Sequence, residues 1–315
     1  MACLAETAAG IMYRSGAFEK GRPLKLSIWY PSDEQASAIV GGNPVFEGVS
    51  AAPNARLPEG PLPLVVVSHG GLRSAADSGA WLSSSIAQKG FIVVEVNAPR
   101  PESAAVALDE IWRRPQDISR AIDLVLADAE LGKRIEESRI SVAGFALGAT
   151  AALSVAGARM DAERYAQFCA GDGGSEGPDC DWYAAQGVGL TQSNRQRLTG
   201  LARDPRITFA IAVDPEYPAA LGAANADVAT LRISLGGRND SFGTGPSAQT
   251  VVMRKAIAFD AFGACTEAGP SILLEEDGDA SICGGSAEAR KSIHQEISDE
   301  ITSFLARGAG GYRRQ

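Results

Sequence analysis

The hydrophobic positions of this chain fall into two kinds of segment that alternate along it. Short, mainly apolar segments that are typical of strands occupy residues 24–30, 63–68, 91–96, 139–143, 207–213, 231–235 and 271–276, and residues 63–68 are a continuous β-branched run. Segments typical of helices occupy residues 80–89, 114–131, 149–156, 248–261 and 287–305. Strands that alternate with helices predict an α/β fold, in which helices cover both faces of a mainly parallel central sheet.

Two regions depart from this alternation. Residues 35–61 contain Gly, Pro and Asn and predict a loop, whereas residues 158–205 are polar and Gly-rich and predict a lid-like insertion over the active site. The sequence shows no internal repeat and no linker. We therefore expect residues 1–315 to form a single domain that carries this insertion.

The composition excludes several classes of partner. The chain has 315 residues, of which 45% are hydrophobic and 21% charged, as in ordinary globular proteins. Its formal charge is −9 at pH 7 and it has no basic run, which argues against a nucleic-acid partner. No apolar segment reaches the roughly 18–20 residues of a membrane span.

The five cysteines indicate two disulfide bonds. Cys169 and Cys180 bracket a Gly/Asp-rich loop, and Cys265 and Cys283 flank the predicted strand at residues 271–276 and the loop after it. If each of these pairs forms a disulfide bond, Cys3 is left free. The alternative is that the cysteines are buried free thiols. Two bridges predict export to the periplasm or the outside of the cell. The N-terminal sequence MACLA also resembles the end of a cleaved signal peptide behind a start Met.

The stretch with the clearest chemical signal is residues 144–148, GFALG. It joins the predicted strand 139–143 to the small-residue helix 149–156, which is the context of the nucleophile elbow G-x-S-x-G. Small flanking residues let strand and helix approach closely while the turn holds the central residue above the sheet. Here that residue is Ala146, which has no nucleophilic atom. Because the chain has 35 glycines, an ordinary Gly-rich turn is the alternative.

Several separate stretches resemble the dienelactone-hydrolase-like branch of the α/β-hydrolases, which includes platelet-activating-factor acetylhydrolase-like enzymes and bacterial cutinase or polyester hydrolases. Residues 67–71 (VSHGG) are similar to its oxyanion loop, and residues 113–118 (RRPQDI) to the helix start before its elbow. The resemblance covers roughly residues 10–307. It implies an α/β-hydrolase fold and a triad in the order Ser, Asp, His.

Carried over onto this sequence, the resemblance implies three triad positions. Ala146 stands at the nucleophile and Ala280 at the histidine, while Asp240 is intact in the turn after residues 231–235. Asn-Asp-Ser is also an ordinary turn sequence, and the alignment at Ala280 can slip onto Asp279.

Other residues have supporting roles in this interpretation. The backbone N–H groups of Leu147 and Leu72 are the expected oxyanion donors. Tyr217, in the sequence DPEY after a strand, is a candidate for substrate binding, with a plain turn as the alternative. Of the only two histidines, His69 is interpreted as structural and His294, within the last predicted helix, as a surface or core-edge residue and not a catalyst. With no C-x-x-C present, no metal or cofactor is predicted.

These residues predict a serine hydrolase of carboxylic esters, acting on a small-molecule ester or acyl substrate, in an inactive form. An engineered knock-out is favoured over a natural pseudoenzyme, because alanine is the standard truncation and replaces two triad members at once. An amide or lactone hydrolase and a non-catalytic ligand-binding protein are the alternatives. No motif names the substrate, and the sequence predicts no oligomeric state.

Overall fold

A large twisted sheet is the core of the computed structural model, which describes residues 7–19, 22–72, 74–170, 179–236, 247–276 and 278–311. Its strands are β1 (Gly10–Glu19), β2 (Arg22–Tyr30), β3 (Ala38–Val40), β4 (Val49–Pro53), β5 (Leu62–Ser68), β6 (Ile92–Asn97), β7 (Ile135–Phe145), β8 (Ile207–Val213), β9 (Ala229–Leu235) and β10 (Ala248–Met253). They lie in the order β10-β9-β8-β7-β5-β6-β2-β1-β4-β3. The six strands from β10 to β6 run parallel, and β2 joins them antiparallel. The predicted mainly parallel α/β sheet is confirmed.

The helices that connect these strands pack on both faces of the sheet. They are α1 (Ala80–Gln88), α2 (Ala104–Ala107), α3 (Glu110–Ala127), α4 (Leu147–Val155), α5 (Ala162–Gln167), α6 (Cys180–Ala185), α7 (Arg195–Thr199), α8 (Gly269–Glu275) and α9 (Ala287–Gly311). Ile122 of α3 packs with Val142 of β7 on one face. Ile86 of α1 and Ile297 of α9 share a core with Val67 on the other. Apolar residues on both faces of the central strands explain their continuous hydrophobic runs.

The register of the central strands aligns their carboxyl ends. Ser68 at the end of β5 pairs with Gly144 of β7, and Gly144 pairs with Ala212 of β8. In parallel sheets ligands bind at this edge, where the connecting loops meet. The loops after β5, β7 and β8 therefore lie side by side.

The described part of residues 158–205 forms the short helices α5, α6 and α7. Their buried residues Tyr165, Tyr183 and Leu198 pack in one cluster with Leu147 of α4 and Trp112 of α3. The segment thus covers the point where α4 leaves the sheet.

Three predicted elements are wrong. Residues 35–61, predicted as a loop, include the short strands β3 and β4. Residues 248–261, predicted as a helix, form β10 and a 3₁₀ turn at Ala258–Ala261, because Thr250, Val251 and Val252 favour a strand and pair with β9. Of residues 271–276, predicted as a strand, 271–275 lie in α8 and Glu276 caps its end; β10 already fills the place beside β9, and Pro270 is suited to the first turn of a helix.

Two disulfide bonds join the predicted pairs, Cys169 with Cys180 and Cys265 with Cys283. Cys3 lies outside the described residues. The second bond fixes the segment before α9, which is also tied to the loop before β4 through a bridge between Phe46 and Cys265. Among the described helices, none has the length and apolar character needed to cross a membrane.

Candidate active site

The link between β7 and α4 is a sharp turn centred on Ala146. Its φ is 50° and its ψ −125°, a conformation that is strained for any residue other than glycine. The Ala146 N–H donates to the Val213 carbonyl oxygen at 3.0 Å, and its own carbonyl accepts from Ala149 and Thr150 in the first turn of α4. The turn is therefore fixed from both sides, as a nucleophile elbow must be.

Glycines on either side allow this turn to pack closely. A Cβ atom on Gly148 would collide with the carbonyl oxygen of Ser68, and one on Gly70 would lie 2.6 Å from the Ala146 Cβ atom. Only glycine fits at these two positions without a shift of the backbone. The loop after β5 consequently reaches the side chain position of residue 146.

That loop is positioned by the buried guanidinium group of Arg114 from α3. Its Nη1 donates to the His69 carbonyl oxygen at 2.7 Å and its Nη2 to the Gly71 carbonyl oxygen at 2.8 Å. Arg114 also contacts Glu110 at 3.3 Å, and Glu110 pairs with Arg22 at 2.7 Å. A buried chain of charges thus connects strand β2 to the predicted oxyanion loop.

The turn after β8 is the third element at this edge. The Glu216 N–H donates to the Ala146 carbonyl oxygen at 3.3 Å, and Thr150 Oγ1 donates to the Glu216 carbonyl oxygen at 2.6 Å. Tyr217 is buried and makes edge-to-face contacts with Tyr165 and Phe168. Tyr217, Leu72 and Leu147 belong to one buried cluster, so the structure brings these three predicted site residues together.

The side chain of Glu216 was missed by sequence reasoning, although the sequence DPEY was singled out. Burial raises the pKa of its carboxyl group and the nearby Asp179 raises it further, whereas Arg114 and the Leu147 N–H lower it. No sequence signal distinguishes this buried acid from an exposed turn residue.

The structure describes only one of the other two predicted triad positions. Asp240 falls within residues 237–246, outside the described residues. Ala280 begins a 3₁₀ turn at Ala280–Cys283, where Asp279 accepts a hydrogen bond from the Ser281 N–H at 2.8 Å. This segment is held by the Cys283 disulfide and by Arg290, which donates to the Ile282 carbonyl oxygen.

Both histidines are buried, and both bond to backbone carbonyls. His69 Nδ1 lies 3.2 Å from the Gly70 carbonyl oxygen; burial and the Arg114 charge lower the pKa of His69 to about 4. His294 stacks on Trp81 with ring centroids 3.8 Å apart and lies 2.9 Å from the Asp260 and Phe262 carbonyl oxygens. Burial lowers the pKa of His294 to about 4 as well. These surroundings fit the non-catalytic interpretation of both.

Glu95 of β6 is a fully buried acid behind the loop after β5. It accepts hydrogen bonds from the Gly79 N–H at 2.7 Å and Ser83 Oγ at 3.1 Å. Burial, with a further contribution from Asp77, raises the pKa of Glu95 to about 8 from an ordinary 4.5. Between pH 4.5 and about pH 8, Glu95 therefore stays protonated in the folded chain but is ionised in the unfolded chain.

The stability contributed by Glu95 is expected to be full below pH 4.5 and to be lost as pH rises towards 8. Glu95→Gln is neutral throughout and should lack this loss. Between about pH 5 and about pH 8.5, the free energy of unfolding of the unchanged chain should fall by at least about 1 kcal/mol more than that of the variant, the equivalent of one pKa unit. Urea unfolding measures it, with exposed Glu296→Gln as the control. If the free energy of unfolding fell equally with pH in all three chains, the raised pKa of Glu95 would be contradicted.

Comparison with known proteins finds a sequence likeness over part of the chain and a structural likeness over nearly all of it. No protein-family model matches the chain. It is 31% identical over 93 residues to Cutinase est1 and to Cutinase est2 of Thermobifida alba, and each match covers 29% of this chain and 29% of the relative. The chain thus spans less than a third of these relatives' length. A solved ferulic acid esterase from Streptomyces cinnamoneus superposes with a TM-score of 0.57 and 16% identity, covering 97% of this chain and 91% of that one.

Proposed function

We propose that this chain, which has the α/β-hydrolase fold, is a carboxylic ester hydrolase by descent and is inactive as it stands. The observation that carries the proposal is the strained turn at Ala146, with φ at 50°. Alanine is strained in this conformation, whereas glycine adopts it readily. A turn selected only for packing would therefore favour glycine at residue 146. A reactive side chain at residue 146 explains why the backbone is held in this form.

The proposed mechanism assigns one role to each triad position. A serine at residue 146 attacks the ester carbonyl, a histidine at residue 280 takes its proton, and Asp240 holds the imidazole in place. The N–H groups of Leu147 and Leu72 stabilise the negative charge that develops on the carbonyl oxygen. Arg114 supports this site indirectly, because it fixes the carbonyls of the loop that contains Leu72.

The same proposal includes the substrate, the domain organisation and the location of the protein. The substrate in this proposal is a small-molecule ester or acyl compound, and the likeness to two cutinases and a ferulic acid esterase supports the ester bond as the one that is cut. Residues 1–315 act as one domain, with residues 158–205 as the insertion that shapes the pocket. The two disulfide bonds support a periplasmic or secreted location. Alanine at both residues 146 and 280 favours a deliberate knock-out over natural loss.

Covalent labelling tests the proposal. The variant with both Ala146→Ser and Ala280→His should react with a fluorophosphonate probe, because such probes capture an activated serine. Mass spectrometry of the digested protein should find the adduct on residue 146, and the unchanged chain should carry none. Ala149→Ser, one turn into α4, is the matched control for a serine without the elbow. Labelling at any other residue, or of the control alone, would reject the assignment.

A further inference from the structure

One arginine side chain joins two separate parts of the segment between β10 and α9. Arg290, near the start of α9, is only 1% exposed. Its Nη2 donates to the Ile282 carbonyl oxygen, two residues after residue 280, and its Nη1 donates to the Gly263 carbonyl oxygen at 3.0 Å. Its Nε donates to a carboxylate oxygen of Asp260 at 3.2 Å. One planar guanidinium group therefore binds both parts of the segment.

The first of these parts is the 3₁₀ turn Ala258–Ala261, named here the β10 turn because it follows β10. The carbonyl oxygen of Asp260 lies 2.9 Å from Nε2 of His294, one helical turn after Arg290 in α9. On the other side, Trp81 Nε1 of α1 donates to the Ala261 carbonyl oxygen at 3.2 Å. The β10 turn is thus fixed against both α1 and α9.

The β10 turn adjoins the predicted oxyanion loop. The ring of Phe262, directly after the turn, lies 3.8 Å from the point where a Cβ atom on Gly71 would stand. The carbonyl oxygen of Gly71 is the one that Arg114 binds. A Cβ atom on the preceding residue, Gly70, would lie 2.6 Å from that of Ala146. Contacts therefore lead from the β10 turn through the oxyanion loop to the elbow.

The second part is the 3₁₀ turn Ala280–Cys283, named here the base turn because it begins at residue 280. The disulfide bond between Cys283 and Cys265 keeps the end of the base turn near the residues that follow the β10 turn. The hydrogen bond from Arg290 to Ile282 adds direction, because the N–H donors of a guanidinium group have a fixed planar arrangement. The two turns are therefore held as one unit.

We propose that Arg290 is the positioning residue of the base. Its guanidinium group joins the base turn to the β10 turn, and it thereby sets the place of residue 280 relative to the oxyanion loop and residue 146. The inference rests on the proposed function, which assigns residue 280 to the base. A base acts only within hydrogen-bond reach of the proton that it takes, and a misplacement of about 1 Å can cost about 10²-fold in rate.

A thiol at residue 146 tests the positioning without any ester hydrolysis. In the variant with Ala146→Cys and Ala280→His, a nearby imidazole should lower the pKa of the thiol at residue 146 from its ordinary value of about 8.5. Mass spectrometry of the peptide that contains residue 146 measures the pH midpoint of alkylation by iodoacetamide. This midpoint should lie about one pH unit or more below that of Ala146→Cys alone.

Adding Arg290→Met to this thiol variant should return the midpoint to that of Ala146→Cys alone. The matched control is Lys291→Met, which removes an exposed cation of α9 that pairs with Glu47 and should leave the midpoint low. If Arg290→Met does not fold, Arg290→Lys replaces it. Lysine keeps a charge beside Asp260 but lacks the planar fork, so the midpoint should again return.

The outcomes separate the positioning role from the function on which it rests. If the histidine lowers the midpoint and the midpoint stays low in Arg290→Met or Arg290→Lys, the positioning role is overturned and the hydrolase assignment stands. If the histidine never lowers the midpoint, residue 280 is not beside residue 146. The assignment of the base and the role of Arg290 then both fall.

Kinetics test the consequence in the variant with Ala146→Ser and Ala280→His. Adding Arg290→Met should lower kcat for p-nitrophenyl acetate about 10²-fold with little change in KM. Fluorophosphonate titration counts the competent sites, because unfolding removes sites whereas a misplaced base slows each site that remains. Fewer sites with an unchanged kcat per site would overturn the positioning role. If the thiol midpoint depends on Arg290 but the serine variant does not hydrolyse the ester, the hydrolase assignment fails and the positioning role stands.

Discussion

Ala146→Ser combined with Ala280→His is expected to give esterase activity that neither change gives alone. A serine without a base keeps its proton, and a histidine without a serine has nothing to activate, so the effects are far from additive. The kcat/KM of the double variant for p-nitrophenyl acetate should exceed that of either single variant by about 10³-fold or more. Steady-state kinetics on the three variants and the unchanged chain measure this difference.

Asp240, the proposed triad acid, provides a control for these kinetic measurements. Adding Asp240→Ala to the double variant should lower the rate by less than loss of Ser or His, because the acid only orients the base. If the double variant folds but is inactive, Ala146→Ser with Asp279→His places the base one residue earlier. Inactivity of both pairs would show that the chain does not descend from a hydrolase of this kind.

Arg114→Met should be the most destabilising change among those near the site. The variant keeps an apolar side chain of similar length but leaves the His69 and Gly71 carbonyls without their donor. It also removes one of the partners of the buried Glu110. Breaking a buried ion pair by removing one member costs about 3–5 kcal/mol. Urea unfolding should show a loss of this size.

Arg113→Met on the same helix is the matched control. Arg113 is partly exposed and pairs with Asp109 at 2.9 Å. The bonds to the carbonyls of His69 and Gly71 come from Arg114. Its replacement should change stability by about 1 kcal/mol or less, as for other surface pairs. In the double variant with Ser and His, Arg114→Met should also lower kcat, whereas Arg113→Met should not. Equal effects of the two changes would show that the loop does not depend on Arg114.

The sequence predicted the central strands and missed the margins of the sheet for a physical reason. Three central strands, β5, β6 and β8, are mainly apolar on both faces. Such strands bury both faces only in the middle of a sheet that is covered by helices on either side. The edge strand β10 has exposed residues on one side, so its pattern is not distinct from that of a helix. Residues 271–276 are apolar enough for a strand, but β10 occupies the place beside β9 in the sheet.

The site shows a similar division. Strand, tight turn and small-residue helix are local features, so the elbow at Ala146 was visible in the sequence. The role of Arg114 as a clamp on the loop after β5, and the burial of Glu216, depend on contacts between residues 40 or more positions apart. Such contacts are decided by packing and leave no local pattern.

The separate anchoring of residue 280 has an evolutionary consequence. Residue 146 lies in the turn directly after β7, whereas residue 280 lies on a segment outside the sheet that is tied down by Cys283 and Arg290. Neither alanine fills a position on which the hydrophobic clusters depend. If residues 146 and 280 carried the serine and the histidine, as proposed, two substitutions abolished catalysis without touching these clusters. On this proposal, loss and recovery of activity are only two substitutions apart, and neither step requires a change elsewhere in the fold.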